Sequence, residues 1–485
     1  MTSSPALTLR DALESVRRHA PQDYVIADAA LPTDRIASDF ATRFAGIPAT
    51  SASRPEKVVR YAVPGSPIPV LLGLYGCPSR VRGWFPGLAA RTNPTTVARL
   101  LGELRPPQPG HGAACQQRIE TGQLDLGTLP VLRATPRDAG PYLTMGVVSA
   151  QDPDRGELTL STHRMLVLDR HRLAIWMVPG RRLRELHEAA LHAGTRLPVG
   201  ISIGAPPAAM LASALSTAVL PPGVSKLTLA GALAGEPIST AAAVSQPLPV
   251  LAASEIVLEG YLDHSVADET LDGPLSVSLP EFLGYDGEAK RALPVVTVTA
   301  LTSRLAPIYQ AVIGPGREQS VILGLAGALS VALTGFNQGW QMITDLHYCA
   351  AGGGMLLLVI AVRKDSEAAD GRLGALARCI FDRHRFVKLI VFTDDDVDIT
   401  STEDVCWAIT TRSNLGTDCI TLPGYSPLPM DPSQRPEWAA ARGADGASAR
   451  SFIDATTPYR LRHATKRSFP TLQLQHGPLG QGSGR

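Results

Sequence analysis

The chain has 485 residues, room for two to four domains. Its 45% apolar and 18% charged residues are the composition of a packed globular protein and exclude a disordered one. A net charge of +1 leaves no global field to draw it to nucleic acid or an anionic membrane, so neither is expected as a partner.

In chain order, Leu9, Leu13 and Val16 recur at helical spacing and predict an amphipathic first helix. Residues 69–74 (PVLLGL) read as a short apolar strand, and VARLLGEL as a helix before a Pro-rich boundary. From about residue 124 come many short β-like runs: 142–150, 164–168, 174–178, 199–203, 255–258, 295–300 and 308–313. Runs this short between Gly, Pro and Asp turns predict an antiparallel barrel or sandwich, with one helix at 183–192. Beyond about residue 319 the texture changes. Residues 324–334, 372–383 and 402–411 read as helices, and 355–362 and 388–392 as buried strands, which suggests an α/β layer. The last ten residues are Gly-rich and read as flexible.

The longest apolar run, 350–362, is thirteen residues, against about 20 for a membrane-spanning helix. The N-terminus carries charges where a signal peptide has an apolar segment, so a cytoplasmic setting is expected. Six scattered cysteines without a CxxC pair read as reduced, buried thiols. Only six of the 45 basic residues are lysine, so a lysine at an informative position stands out.

Several familiar motifs fail. HEAALH places His187 and His192 five apart, too far around a helix to share a metal, and reads as a solvated face. The run DDDVD at 394–398 lacks the glycine and the final glutamate of a calcium loop. It reads as a turn whose carboxylates meet the N-terminus of the helix near Thr402. There is no GxSxG, no P-loop and no strand–GxGxxG–helix.

Four segments carry a resemblance. They are DAGPYLTMGVVSAQDPDRGELTLSTHR (138–164), LPVGISIGAPPAAMLASALSTAVLPPGVSKLTLAG (197–231), SEIVLEGYL leading into DGPLSVSLPEFLGY (254–285), and the stretch 391–412 ending DVCWAITTR. With a weaker match at 69–80, they resemble, in order, the UbiD family of decarboxylases, which use prenylated flavin mononucleotide. The resemblance implies an α/β (α+β) protein of three parts: an N-terminal α/β region (1–123), a split β-barrel that holds the flavin (124–318) and a C-terminal α/β dimerisation domain (319–465), followed by a tail (466–485). It implies decarboxylation of an α,β-unsaturated or aromatic acid, a homodimer, and a separate flavin prenyltransferase as cofactor supplier. Loss of CO2 from an sp2 carbon leaves a carbanion that no side chain can stabilise, so a cofactor has to be the electron sink.

By resemblance, Arg164 is the active-site arginine, Glu281 the proton donor and Asp272 the first acid of the family's E-G-P. Leu279, Pro280, Phe282 and Leu283 would give Glu281 an apolar pocket. Thr162, His163 and Arg164, then Trp176, Met177 and Val178, match flavin-contacting stretches, and Arg181 and Arg182 lie where cations could meet the phosphate. The bland alternatives are core packing for 176–178 and a turn for Asp272.

The pattern breaks in two informative places. The family's divalent cation, manganese, is held by Asn, His and Glu, whereas the matching positions are Thr159, Gly180 or Arg181, and Lys226. No metal is therefore expected, and Lys226 would meet the flavin phosphate itself. Between Asp272 and Gly284 the chain also runs four residues longer than the family spacing. That points to a specialised substrate, such as a polyketide-type secondary metabolite. The rival readings are a flavin-binding homologue without decarboxylase activity and an ordinary flavin reductase.

Overall fold

The computed structural model describes residues 7–44, 55–88, 90–110, 112–154, 156–270, 277–281, 283–428, 430–443, 448–465 and 467. The first helix, Leu9–His19, is opened by a capping box. The Thr8 hydroxyl accepts from Asp11 N, and the Asp11 carboxylate accepts from Thr8 N. Its buried face is the expected one, Leu9, Ala12, Leu13 and Val16. From the other face Arg10 reaches across to Glu255 with bonds of 2.9 and 2.8 Å.

Four strands form the N-terminal layer, in the order Tyr24–Ile26, Val58–Val63, Ser66–Leu72 and Tyr309–Gln310. The last corrects the sequence reading, which gave residues 308–313 to the barrel. Only Tyr309 and Gln310 are laddered, and they run parallel to Val70 and Leu71. A buried parallel strand and a barrel strand both read as an apolar run, and the run itself does not say which sheet it joins.

The middle of the chain builds a nine-stranded sheet in which every pairing is antiparallel. Its two long central strands are Ile256–Ala267 and Leu293–Ser303. Val148, Met165, Ile175, Ile201, Leu258 and Val296 pack together in its interior. The run 142–150 is two strands, Tyr142–Leu143 and Val147–Asp152. The first pairs with Met165–Val167 and the second with Glu157–Thr162 and Leu197–Ile203. Two buried helices, Pro207–Ser213 and Lys226–Ala234, pack on each other and on strand Glu157–Thr162.

Helix Arg317–Asn337 is long and apolar enough to cross a bilayer, but 78% of its apolar window is buried, against helix Pro94–Gly102 and strand Ile343–Tyr348. The C-terminal sheet has the order Ile343–Tyr348, Leu357–Val362, Leu389–Asp394, Ala449–Ala455, Cys419–Pro423. Its three central strands are parallel and its two edges antiparallel.

Three expectations are corrected here. Asp394 and Asp396 do not face a helix N-terminus; they hold Arg412, at the other end of helix Thr402–Arg412, at 2.9 and 2.6 Å. That is where a cation suits the helix dipole. His187 is buried, with Nε2 against Asp263 O at 3.0 Å, because the barrel strand Ile256–Ala267 covers that side of its helix. All six cysteines are free, but only Cys115 is buried, and Cys406 and Cys419 are exposed.

Candidate active site

Arg164 sits one residue before strand Met165–Val167, at the rim of the barrel, with its side chain 12% exposed. Its guanidinium makes a forked pair with Glu269: Nε to Oε1 at 2.8 Å and Nη2 to Oε2 at 2.9 Å. Glu269 follows strand Ile256–Ala267 and its side chain is 1% exposed. It also accepts from Tyr142 Oη at 3.2 Å and from Lys290 N at 3.0 Å, so both its oxygens are occupied. Burial beside this carboxylate pushes the Tyr142 hydroxyl far above its ordinary pKa.

The remaining guanidinium nitrogen, Nη1, points to Glu281 at 3.4 Å. Glu281 is held loosely: among the described residues no other side chain bonds its carboxylate, and 27% of its side chain is exposed. A turn aims it, in which Glu281 N donates to Tyr285 O and Gly284 N donates to Glu281 O. Gly284 has φ +86°, which a residue with a side chain rarely adopts. Arg164 and Glu281, 117 residues apart in the chain, are thus brought together as expected. Asp272 and Phe282 lie outside the described residues. The acid found against Arg164 from that part of the chain is Glu269, which sequence reasoning missed. Its signal was its place, just past the end of a long barrel strand, at the same rim as Arg164.

Around this group lie the other expected residues. Thr162 Oγ1 bonds Ser213 Oγ at 2.8 Å. His163 is half-buried, and both ring nitrogens are engaged, Nδ1 with Trp176 O at 2.9 Å and Nε2 with Ser161 Oγ at 2.8 Å. Nδ1 must therefore carry the proton, and burial pushes the ring pKa down to about 4, so the imidazole is neutral. Trp176 N donates to Arg164 O, which puts Trp176 beside the arginine on the neighbouring strand's extension. Met177 is fully buried and Val178 half-buried. Strand Arg172–Ile175 ends before all three.

The expected phosphate ligands divide. Arg182 is spent on acids, Asp152 at 2.6 Å through two nitrogens and Asp154 at 2.6 Å. Arg181 has no carboxylate partner among the described residues; burial and the like charge of Arg385 lower its pKa. Lys226 donates to Leu160 O at 2.7 Å and Ser213 O at 2.9 Å, and it too has no carboxylate partner. Burial, then Arg181, pushes its pKa down to about 7. A cavity of about 220 Å³ lies here, lined by Arg181, Ala214 and Ser216 from the barrel side and by Met355, Arg385 and Phe386 from the C-terminal unit. Cations without acids fit a phosphate. They do not fit a divalent cation: the positions are Thr159, Gly180 or Arg181, and Lys226, and no group of three or more His, Cys, Asp or Glu side chains among the described residues could hold one.

Residues 109–318 match the family model described as the 3-octaprenyl-4-hydroxybenzoate carboxy-lyase Rift-related domain, and 325–455 the matching C-terminal domain. The gallate decarboxylase of Lactiplantibacillus plantarum is 32% identical over 337 residues, 69% of each chain. Among solved structures, the 3,4-dihydroxybenzoic acid decarboxylase of Klebsiella pneumoniae superposes with TM-score 0.85 at 29% identity, covering 96% of this chain and 97% of its own. The enzyme HmfF of Pelotomaculum thermopropionicum, in complex with prFMN, gives 0.76 at 26% identity over 96% and 98%.

Proposed function

Because the chain belongs to the UbiD family of carboxy-lyases, we propose that it decarboxylates an aromatic or α,β-unsaturated acid without net oxidation, using prenylated FMN. The observation that carries this reading is the convergence of Glu269, Arg164 and Glu281 at the barrel rim. When bound, the prenylated flavin supplies the electron sink that departing CO2 requires. The side chains do the rest. Glu269 fixes the guanidinium plane with its forked bond. Arg164 Nη1, which among the described residues meets no carboxylate beyond that fork but Glu281 at 3.4 Å, is the donor left to hold the substrate carboxylate. Glu281, half-free on its turn, delivers a proton to the carbon that has lost CO2. Trp176 and Met177 would exclude water from the ring, and Arg181 and Lys226 would hold the phosphate.

The named relatives act on gallate and 3,4-dihydroxybenzoic acid, which supports a hydroxylated aromatic acid here. The long stretch between Asp272 and Gly284 supports a specialised one, of polyketide type. A flavin prenyltransferase supplies the cofactor, and the holoenzyme is a homodimer. The test is co-expression with such a transferase, followed by the bound chromophore, the sedimenting mass and CO2 release from hydroxylated benzoates. Glu281→Gln should lower kcat by about 10²–10⁴-fold with an unchanged melting temperature; near wild-type turnover would remove Glu281 from the reaction. The departures at Thr159 and Lys226 favour a second reading, a flavin-binding homologue without activity. It predicts bound flavin and no CO2 from any acid tried.

A further inference from the structure

We propose that the Lys226 ammonium occupies the place of a divalent cation at the flavin phosphate, so that this chain binds its cofactor without metal. The inference rests on the flavin reading above and concerns how the phosphate is held. Lys226 is the first residue of helix Lys226–Ala234, capped by Ser225. A cation there opposes the helix dipole. It is also buried, 7% exposed, between helix Pro207–Ser213 and strand Glu157–Thr162. Two backbone carbonyls meet it, but no carboxylate does among the described residues.

The donor count says what does. An ammonium has three N–H bonds. Two go to the carbonyls of Leu160 and Ser213, and the third has no partner among the described residues. Ser213 adjoins Ala214 in the wall of the cavity that Arg181 and Arg385 also line. Arg385 bonds Pro179 O at 3.4 Å and, like Arg181 and Lys226, has no carboxylate partner among the described residues. Arg181, Arg383 and Arg385 line one space that no acid lines, and Lys226 sits behind its wall at Ser213; that is a costly arrangement until an anion enters. A phosphate monoester dianion satisfies it.

A divalent cation would do the opposite. It needs anionic or neutral oxygen and nitrogen ligands. Here it would meet an ammonium head-on. The nearby imidazole of His163 cannot substitute, since Trp176 O and Ser161 Oγ take both its nitrogens.

The experiment uses the full chain and reads binding, not turnover. FMN and riboflavin are titrated by flavin fluorescence, in EDTA and in added manganese, and metal content is measured by mass spectrometry. The wild-type protein should bind FMN equally well in both conditions and carry no stoichiometric metal. Lys226→Met should weaken FMN by about tenfold or more, one lost charge-assisted bond, and leave riboflavin unchanged, because only FMN has the phosphate. Lys226→Glu should bind FMN weakly in EDTA and recover with manganese. Stoichiometric manganese in the wild type, or FMN affinity lost in EDTA, overturns the inference and leaves the flavin reading standing. A folded wild type that binds no FMN in either condition overturns both. The wild-type arms decide the matter even where a variant fails to fold.

Discussion

Arg181 and Arg182 are neighbours with opposite environments, and their substitution separates phosphate binding from stability. Arg182 is tied to Asp152, whose side chain is buried, by two bonds of 2.6 Å. Removing it takes the guanidinium from that buried carboxylate and should cost about 3–5 kcal/mol, read as a fall in urea midpoint, with FMN affinity little changed. Arg181→Ala should do the reverse, weakening FMN at least about tenfold at nearly constant midpoint. Equal effects of the two would contradict the division. Arg164 and Glu281 were legible because each sits in a motif with fixed neighbours, THR and PEFLGY. Glu269 was not, because the chain between the acids is longer than the motif allows. Asp-Gly-Pro, three residues on, offered a closer match in letters. What singles out Glu269 is four donors converging on its oxygens, which no spacing reveals.

The helix Arg317–Asn337 shows how one element joins two layers. Its first two amides, Arg317 N and Glu318 N, donate to the Glu56 carboxylate at 2.9 Å each. Glu318 in turn accepts from Gly73 N at 2.8 Å and Tyr75 N at 2.9 Å. Burial pushes the pKa of Glu56 up to about 7, and burial together with Glu56 pushes Glu318 up to about 8. The unfolded chain releases these protons near the ordinary carboxyl pKa, whereas the folded one keeps them. Stability is therefore lost as pH rises from about 4.5 to about 8 and is constant beyond. Urea midpoints at pH 5.5 and 8.5 should differ less in Glu318→Gln than in wild type; an unchanged difference would show that Glu318 ionises normally. The helix itself was legible as a run of small apolar residues, as were Leu9–His19, Arg182–His192 and Leu373–Arg383. Their periodicity is a local property. The split of 142–150 into two strands was not legible, because different partners decide it, Met165–Val167 for the first and Glu157–Thr162 with Leu197–Ile203 for the second.

At the scale of the molecule, the cavity proposed for the phosphate has two walls from different parts of the fold, residues 180–181 and 214–218 on one side and 354–355 and 383–387 on the other. Binding FMN should therefore slow amide hydrogen exchange in both walls at once. Protection confined to the barrel side would mean that the C-terminal unit takes no part. The sheets interlock in a similar way. Arg118–Glu120 adds to barrel strand Leu293–Ser303, and Tyr309–Gln310, after the last barrel strand, returns to complete the N-terminal layer. A polypeptide severed near residue 123 would leave Ser66–Leu72 with a bare flank, open to pairing with foreign chains. Ribosomal synthesis meets the same situation, since the first layer must wait for some 240 further residues before its final rung arrives.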